Sequence, residues 1–238
     1  DGELRPLLAE GVSTTHSLYF TASLGLVSGI EVWLQAPLHS LEFEDQTGRR
    51  TRTGIGDIRA AVRVSGAAVR LPGFPVVLRA GVKLPGSSFP VDATVIPLTE
   101  GQRDWELSAE YGHALVQPSP LAPPTLYAVG WLGYRWRETN EEAARRPGDE
   151  LFAHLAFGGL LDPFSWQLAL ETVQGSPPVQ QGVELTSADR ELWQVGPTVF
   201  YPLGPGRLSA GALIPLSGRN LPAGPSLSVG YLLSGAIR

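Results

Sequence analysis

Ten ionisable residues recur at intervals of two or four along short amphipathic stretches. They are Arg59 with Arg63, Arg79 with Lys83, Glu106 with Glu110, Arg135, Glu150 with His154, and Glu171. On an extended chain such intervals put the members of each group on one face. The signs go by segment: 57–83 is mainly basic, 104–110 acidic, 135–137 basic and 150–171 acidic. Neighbouring strands lie about 4.8 Å apart, so opposite charges on adjacent strands are within reach of one another. Two chemistries fit. The charges can neutralise one another and fill an interior, since a buried charge needs a partner. Alternatively they can line a narrow polar route and set its selectivity by local field. The residues leave both open.

Other chemistry finds less support. A Ser nucleophile needs a His base in reach, and on a strand His-x-Ser is the simplest arrangement. None of the four histidines offers it. His154 could pair with Glu150 or Glu171, but a lone inward His is more often a structural hydrogen-bonder. There is no cysteine, hence no disulfide, thiolate zinc site or Cys nucleophile. No His-x-x-x-His and no calcium-type loop occurs, so neither metal nor cofactor is expected. Gly54-x-Gly56 is not followed by a helix and is no nucleotide cradle. The cluster Arg49-Arg50-Thr51-Arg52 sits in a charged stretch that could meet lipopolysaccharide or a partner, though a solvated loop is the commoner case. With a net charge of −5 the chain has no basic field for nucleic acid.

The elements that carry these residues read as strands. Ile58, Ala60, Val62 and Val64 alternate with Asp57, Arg59, Ala61 and Arg63, and Val76 through Leu84 repeats the pattern. A period of two over such lengths means strand. Eleven stretches behave this way, beginning near residues 16, 30, 57, 76, 104, 126, 150, 164, 191, 207 and 225. Their polar faces add Glu31, Gln35, Asp57, Asp104, Arg137, Gln167 and Gln194 to the set above. Connections alternate in length. Short ones lie at 26–29, 66–74, 116–124, 161–163 and 202–206; longer, mostly charged ones lie at 39–53, 86–103, 138–149 and 175–190. Short turns at one end and long loops at the other are the pattern of an outer-membrane barrel. Such barrels have an even strand count. Residues 1–13 read either as a short first strand or as a disordered lead, and a strand at 3–10 would bring the count to about twelve. Trp105, Trp136, Trp166, Trp193, Tyr134 and Tyr231 fall on the apolar phase, many near strand ends, where interfacial girdles sit.

The chain has 238 residues, with 28 glycines and 21 prolines, which suits one β domain with many turns. Segments 115–134 and 151–170 are apolar enough to imitate membrane helices. Four prolines in the first and Asp162-Pro163 in the second make each a pair of strands instead. The absence of methionine, even at position 1, suggests a mature form from which a signal peptide has been removed.

Three segments resemble the outer-membrane transporter family of the meta-pathway of phenol degradation. Thr53-Gly54-Ile55-Gly56-Asp57 is similar to its Gly-x-Gly-Asp strand start. Gly81-Val82-Lys83-Leu84-Pro85-Gly86 is similar to its Lys-Leu-Pro strand end. Val195-Gly196-Pro197, Leu213-Ile214-Pro215-Leu216 and Ser228-Val229-Gly230-Tyr231 are similar to its last strands. The resemblance implies an outer-membrane β-barrel that passes small, often hydrophobic molecules. Outer-membrane barrels commonly end in an aromatic residue, whereas this chain ends Gly235-Ala236-Ile237-Arg238. That departure implies a tail after the last strand or a different assembly signal.

The expectation is therefore an all-β, antiparallel up-and-down transmembrane β-barrel of about 12 strands, one domain over 1–238, in the cell outer membrane. It would be a non-enzymatic channel for small molecules, hydrophobic or aromatic ones among them, with the ten residues above lining the lumen. Its partners would be outer-membrane lipid or lipopolysaccharide, a small-molecule solute, and an envelope protein docked through the long loops. The alternatives are a non-conducting docking barrel, a lipid-modifying enzyme and a soluble β-sandwich.

Overall fold

The computed structural model describes residues 11–71, 75–92, 94–119, 125–221 and 224–235. Fifteen strands follow in order: β1 (Val12–Val27), β2 (Ile30–Asp45), β3 (Gly48–Ile55), β4 (Ile58–Ser65), β5 (Val76–Leu84), β6 (Asp104–Val116), β7 (Leu126–Arg137), β8 (Arg145–Arg146), β9 (Glu150–Leu161), β10 (Phe164–Gly175), β11 (Val179–Gln180), β12 (Val183–Glu184), β13 (Glu191–Leu203), β14 (Gly206–Arg219) and β15 (Ser226–Leu233). Among the described residues a single 3₁₀ turn, Gly66–Val69, is the one helical element, and no helix is long and apolar enough to cross a membrane.

The long strands form one antiparallel sheet in chain order, β1-β2-β4-β5-β6-β7-β9-β10-β13-β14-β15, with β3 also on β2. Each neighbour in chain order is the next in space, which is the up-and-down arrangement. β3 and β4 share β2 as partner and make one broken stave, interrupted at Gly56-Asp57. There Gly56 N–H donates to the Pro37 carbonyl at 3.1 Å. A Cβ at Gly56 would lie 2.3 Å from the His39 ring, so only glycine lets the strand bend there. The Gly-x-Gly-Asp motif thus leads into the start of β4 and is also the break between the two halves of one stave.

The two faces are inverted relative to a soluble protein. The apolar phase is in the open: Leu78 is 53% exposed, Leu168 48% and Val229 78%. The polar phase is enclosed: Lys83 is 1% exposed, Asp104 0% and Glu150 4%. Water does not drive such a sorting, because apolar surface leaves water and charge stays in it. A lipid surround with a polar interior does. Aromatic side chains mark both ends of the apolar face. Trp105 and Trp136 are direct cross-strand partners at the loop end. Phe164 and Tyr201 pack 5.3 Å apart at the turn end, where Tyr231 also donates to the Leu203 carbonyl at 2.8 Å.

Three expectations change. The charged stretch 39–53 is a long hairpin, not a loop: β2 runs on to Asp45 and pairs residue by residue with β3. Its charges concealed an unbroken period of two, and they pair across the hairpin, Arg49 with Glu42 at 2.6 Å and Arg50 with Asp45 at 2.5 Å. β1 starts at Val12, earlier than His16. Segment 138–149, read as a plain connection, turns and contributes β8 to a small sheet with β11 and β12. β1 and β15 are the two edges of the main sheet, and no pairing between them occurs among the described residues. Eleven staves are therefore seen, and the strand expected at 3–10 lies outside the described residues.

Candidate functional site

The ten ionisable residues of the sequence pattern all fall on the enclosed polar face. Register brings them together. Lys83, Asp104 and Arg137 are successive cross-strand partners on β5, β6 and β7. Lys83 Nζ lies 2.6 Å from Asp104, 3.5 Å from Asp57 and against Glu100. Arg137 reaches Glu100 at 2.5 Å, Glu150 at 3.0 Å and Asp104 at 3.4 Å. Arg135 bridges Glu106 at 2.6 Å and Glu150 at 2.5 Å. Deeper along the sheet Arg63 joins Glu31 at 2.9 Å and Glu110 at 2.5 Å. Each carboxylate has a cation within hydrogen-bond range, so the desolvation of these charges is compensated.

A second row crosses the middle of the sheet: Glu110, Trp131, His154, Glu171 and Gln194 are successive partners on β6, β7, β9, β10 and β13. His154 Nδ1 lies 3.0 Å from Glu171, the second of the two acids the sequence offered it. Gln194 donates to the same carboxylate at 2.7 Å. The Trp131 ring stacks on His154 at 3.6 Å. His154 is thus held by neighbours on two strands, Trp131 on β7 and Glu171 on β10.

Arg59 and Arg79 differ from the other eight. Neither has a carboxylate within ion-pair distance among the described residues. Arg79 lies over the Trp33 ring at 4.6 Å. Between the two arginines the wall is low, formed by the direct partners Ala61 and Gly81.

The loop 85–103 folds inward over the loop end of the sheet. Arg52 donates to the Ile96 carbonyl at 2.8 Å, and Asn140 donates to the Glu100 carbonyl at 2.9 Å. Leu98 is buried against Gly54, where a Cβ would lie 2.7 Å from its side chain. Glu100 is the centre of this contact. Burial pushes its pKa up, but Lys83 and Arg137 outweigh that and hold it well below the ordinary carboxylate value. Beside it lies a cavity of about 460 Å³, lined by Phe89, Leu98, Glu100, Asn140, Arg145 and Arg190. Burial, with Arg190 and Arg137 nearby, lowers the Arg145 pKa.

Sequence reasoning missed Glu100 and Arg190, which sit in loops without a readable period. It also missed that β1 and β2 bring Ser17 Oγ to 2.7 Å from His39 Nδ1. No His-x-Ser spacing signals a pair that forms across strands. Asp57 Oδ2 faces Lys83 and accepts from the Glu100 N–H at 3.3 Å, and among the described residues no carboxylate hydrogen-bonds His39, so this Ser–His contact lacks the orienting acid of a nucleophilic triad.

Residues 8–231 match the family model described as putative MetA-pathway of phenol degradation. The chain belongs to this family. No curated protein matches it. Among solved structures, this family member is similar to the crystal structure of an outer membrane channel from Pseudomonas putida F1. The TM-score is 0.66 at 16% sequence identity, over 92% of this chain and 81% of that one. The likeness extends to the fold: a long antiparallel sheet of the barrel type.

Proposed function

We propose that this protein is an outer-membrane channel for small molecules, with the polar face as its lumen wall and the apolar face against lipid. The inverted sorting of the two faces carries this reading. A soluble sandwich would leave Leu78, Leu168 and Val229 in water, a contiguous apolar exposure that soluble monomers avoid. The fold likeness to an outer membrane channel and the family's link to phenol degradation support it. On this reading lipid and lipopolysaccharide surround the barrel, and hydrophobic or aromatic solutes are its cargo.

Closure follows from parity. In an antiparallel sheet of eleven staves, β1 and β15 run the same way, so joining them directly would make a parallel seam. One further antiparallel strand between them satisfies both free edges, and open edges are not tolerated in hydrocarbon. We place a twelfth strand in that seam, in keeping with the expectation of about twelve from the sequence.

The test has two parts. The protein should fractionate with the outer membrane and migrate differently on gels before and after boiling. Purified protein in a planar bilayer should conduct. Solubility without detergent would overturn the membrane reading; a heat-modifiable barrel with no conductance would leave a docking barrel in place of a channel.

A further inference from the structure

Every acidic side chain on the described polar face has a partner, but not every cation does. Glu31 and Glu110 share Arg63. Glu106 and Glu150 share Arg135, and Glu150 also takes Arg137. Asp57, Asp104 and Glu100 converge on Lys83. Glu171 is held by His154 and Gln194. Against this, Arg59 and Arg79 stand without a carboxylate within ion-pair distance among the described residues. Glu106 and Glu110 face them only at longer range, and both are already committed to other guanidiniums.

Arg59 and Arg79 lie on adjacent strands, four positions apart along the register, with Ala61 and Gly81 as the floor between. Arg79 lies over the Trp33 ring at 4.6 Å, a contact that uses the face of its guanidinium and none of its donors. Gln35 is the direct partner of Arg59, and its amide donates to Thr21 at 3.1 Å. Two guanidiniums with unused donors over a shallow floor match a planar anion, because the guanidinium fork takes a carboxylate through two parallel hydrogen bonds.

We propose that Arg59 and Arg79 form an anion-binding subsite in the lumen, selective for small carboxylates, and that the channel prefers anions. The site rests on the channel reading above. It makes the cargo a small organic acid rather than a neutral molecule. Arg63, Arg135 and Lys83 take no part, since their charges are spent on protein carboxylates.

The test compares wild type with Arg59→Gln/Arg79→Gln in planar bilayers under a potassium chloride gradient, then with benzoate replacing chloride. Among the described residues neither arginine has an ion pair to lose, so the variant should keep its heat-modifiable barrel. Wild type should show an anion-preferring reversal potential, and benzoate should transiently block the chloride current. In the variant the chloride-to-potassium permeability ratio should fall about fivefold, the scale of one close charge in water, and the block should vanish. Cation preference in wild type, or an unchanged ratio in the variant, overturns the proposal. A second readout is independent of conduction: benzoate binding to the detergent-solubilised protein, followed by saturation-transfer NMR. Signal in wild type and none in the variant supports the subsite even if no current flows, in which case the channel reading alone falls. No binding in wild type overturns the subsite while leaving an observed conductance intact.

Discussion

The two sides of the polar face are built from different materials. From β4 to β9 it is bulky and ion-paired, and its charged ends meet side chain to side chain. From β13 to β15 its middle is sparse, with Gly196 and Thr198, Ser209 and Gly211, then Ser226, Ser228 and Gly230, while Phe200 and Arg207 stand on the same face toward the turn end. Thr198, Gly211 and Ser228 are direct partners across three strands. Its few polar atoms bond to the wall itself, as Ser209 Oγ does to the Gly230 carbonyl at 3.3 Å. The contrast assigns different tasks. The paired wall fixes strand positions and supports the inward loop, while the sparse wall leaves space. On the channel reading solute passes along the sparse wall and past Arg59 and Arg79 at the border of the paired one.

The sharpest way to break this contrast is to unpair the first wall. Lys83→Ala would take the closest cation from Asp104, which is fully buried and keeps only Arg137 at 3.4 Å, and should cost about 3–5 kcal/mol by the usual penalty for breaking a buried ion pair. Urea unfolding from lipid vesicles would read it, and a loss too small to resolve would mean that the cluster is solvated. Next comes the contrast between faces outside the ion-paired wall. Leu168→Arg on the apolar face should cost about 2–4 kcal/mol near mid-membrane, whereas Ser209→Arg on the polar face should leave stability nearly unchanged. Equal costs would reverse the face assignment. Third, Gly211→Trp should reduce single-channel conductance far more than a bulky residue added in the paired wall, such as Ser108→Trp. The opposite ranking in bilayer recordings would put the route on the other side.

The smallest effect concerns the inward loop. Glu100 has a depressed folded pKa, because cations outweigh its burial. Such a group contributes stability that is present above the unfolded carboxylate value and is lost as pH falls through the lower folded one. The loop contact should therefore hold from neutral pH to below the ordinary value of 4.5. Limited proteolysis within 85–103 should be equally slow at mildly acidic and neutral pH in wild type, and faster at both in Glu100→Gln. Loosening of the wild-type loop while pH is still above that value would contradict the assignment.

Most of the sheet was legible in the sequence because a strand's faces alternate residue by residue. Ile58 to Val64 and Val76 to Leu84 state their faces without tertiary help, and the pairing of Arg135 with Glu150 follows once neighbours are known. The hairpin at 39–53 was lost because Glu42, Glu44, Arg49 and Arg50 mimic a solvated loop, although their signs match across the strands. Glu100 was not legible: its role depends on where a long loop folds back, and no period records that. The solitary character of Arg59 and Arg79 was equally hidden. In the sequence they resemble Arg63 and Lys83, and only the register shows which carboxylates are already taken.

The central claim is that the polar face lines a water-filled lumen and the apolar face meets lipid. The chain contains no cysteine, so single substitutions can report on it directly. Ser228→Cys and Val229→Cys lie side by side on β15, one on each face. In bilayers Ser228→Cys should react with a charged, membrane-impermeant thiol reagent and lose current on labelling, while Val229→Cys should remain unlabelled and conduct as before. Labelling of Val229→Cys with Ser228→Cys protected, or equal labelling of both, would contradict the account.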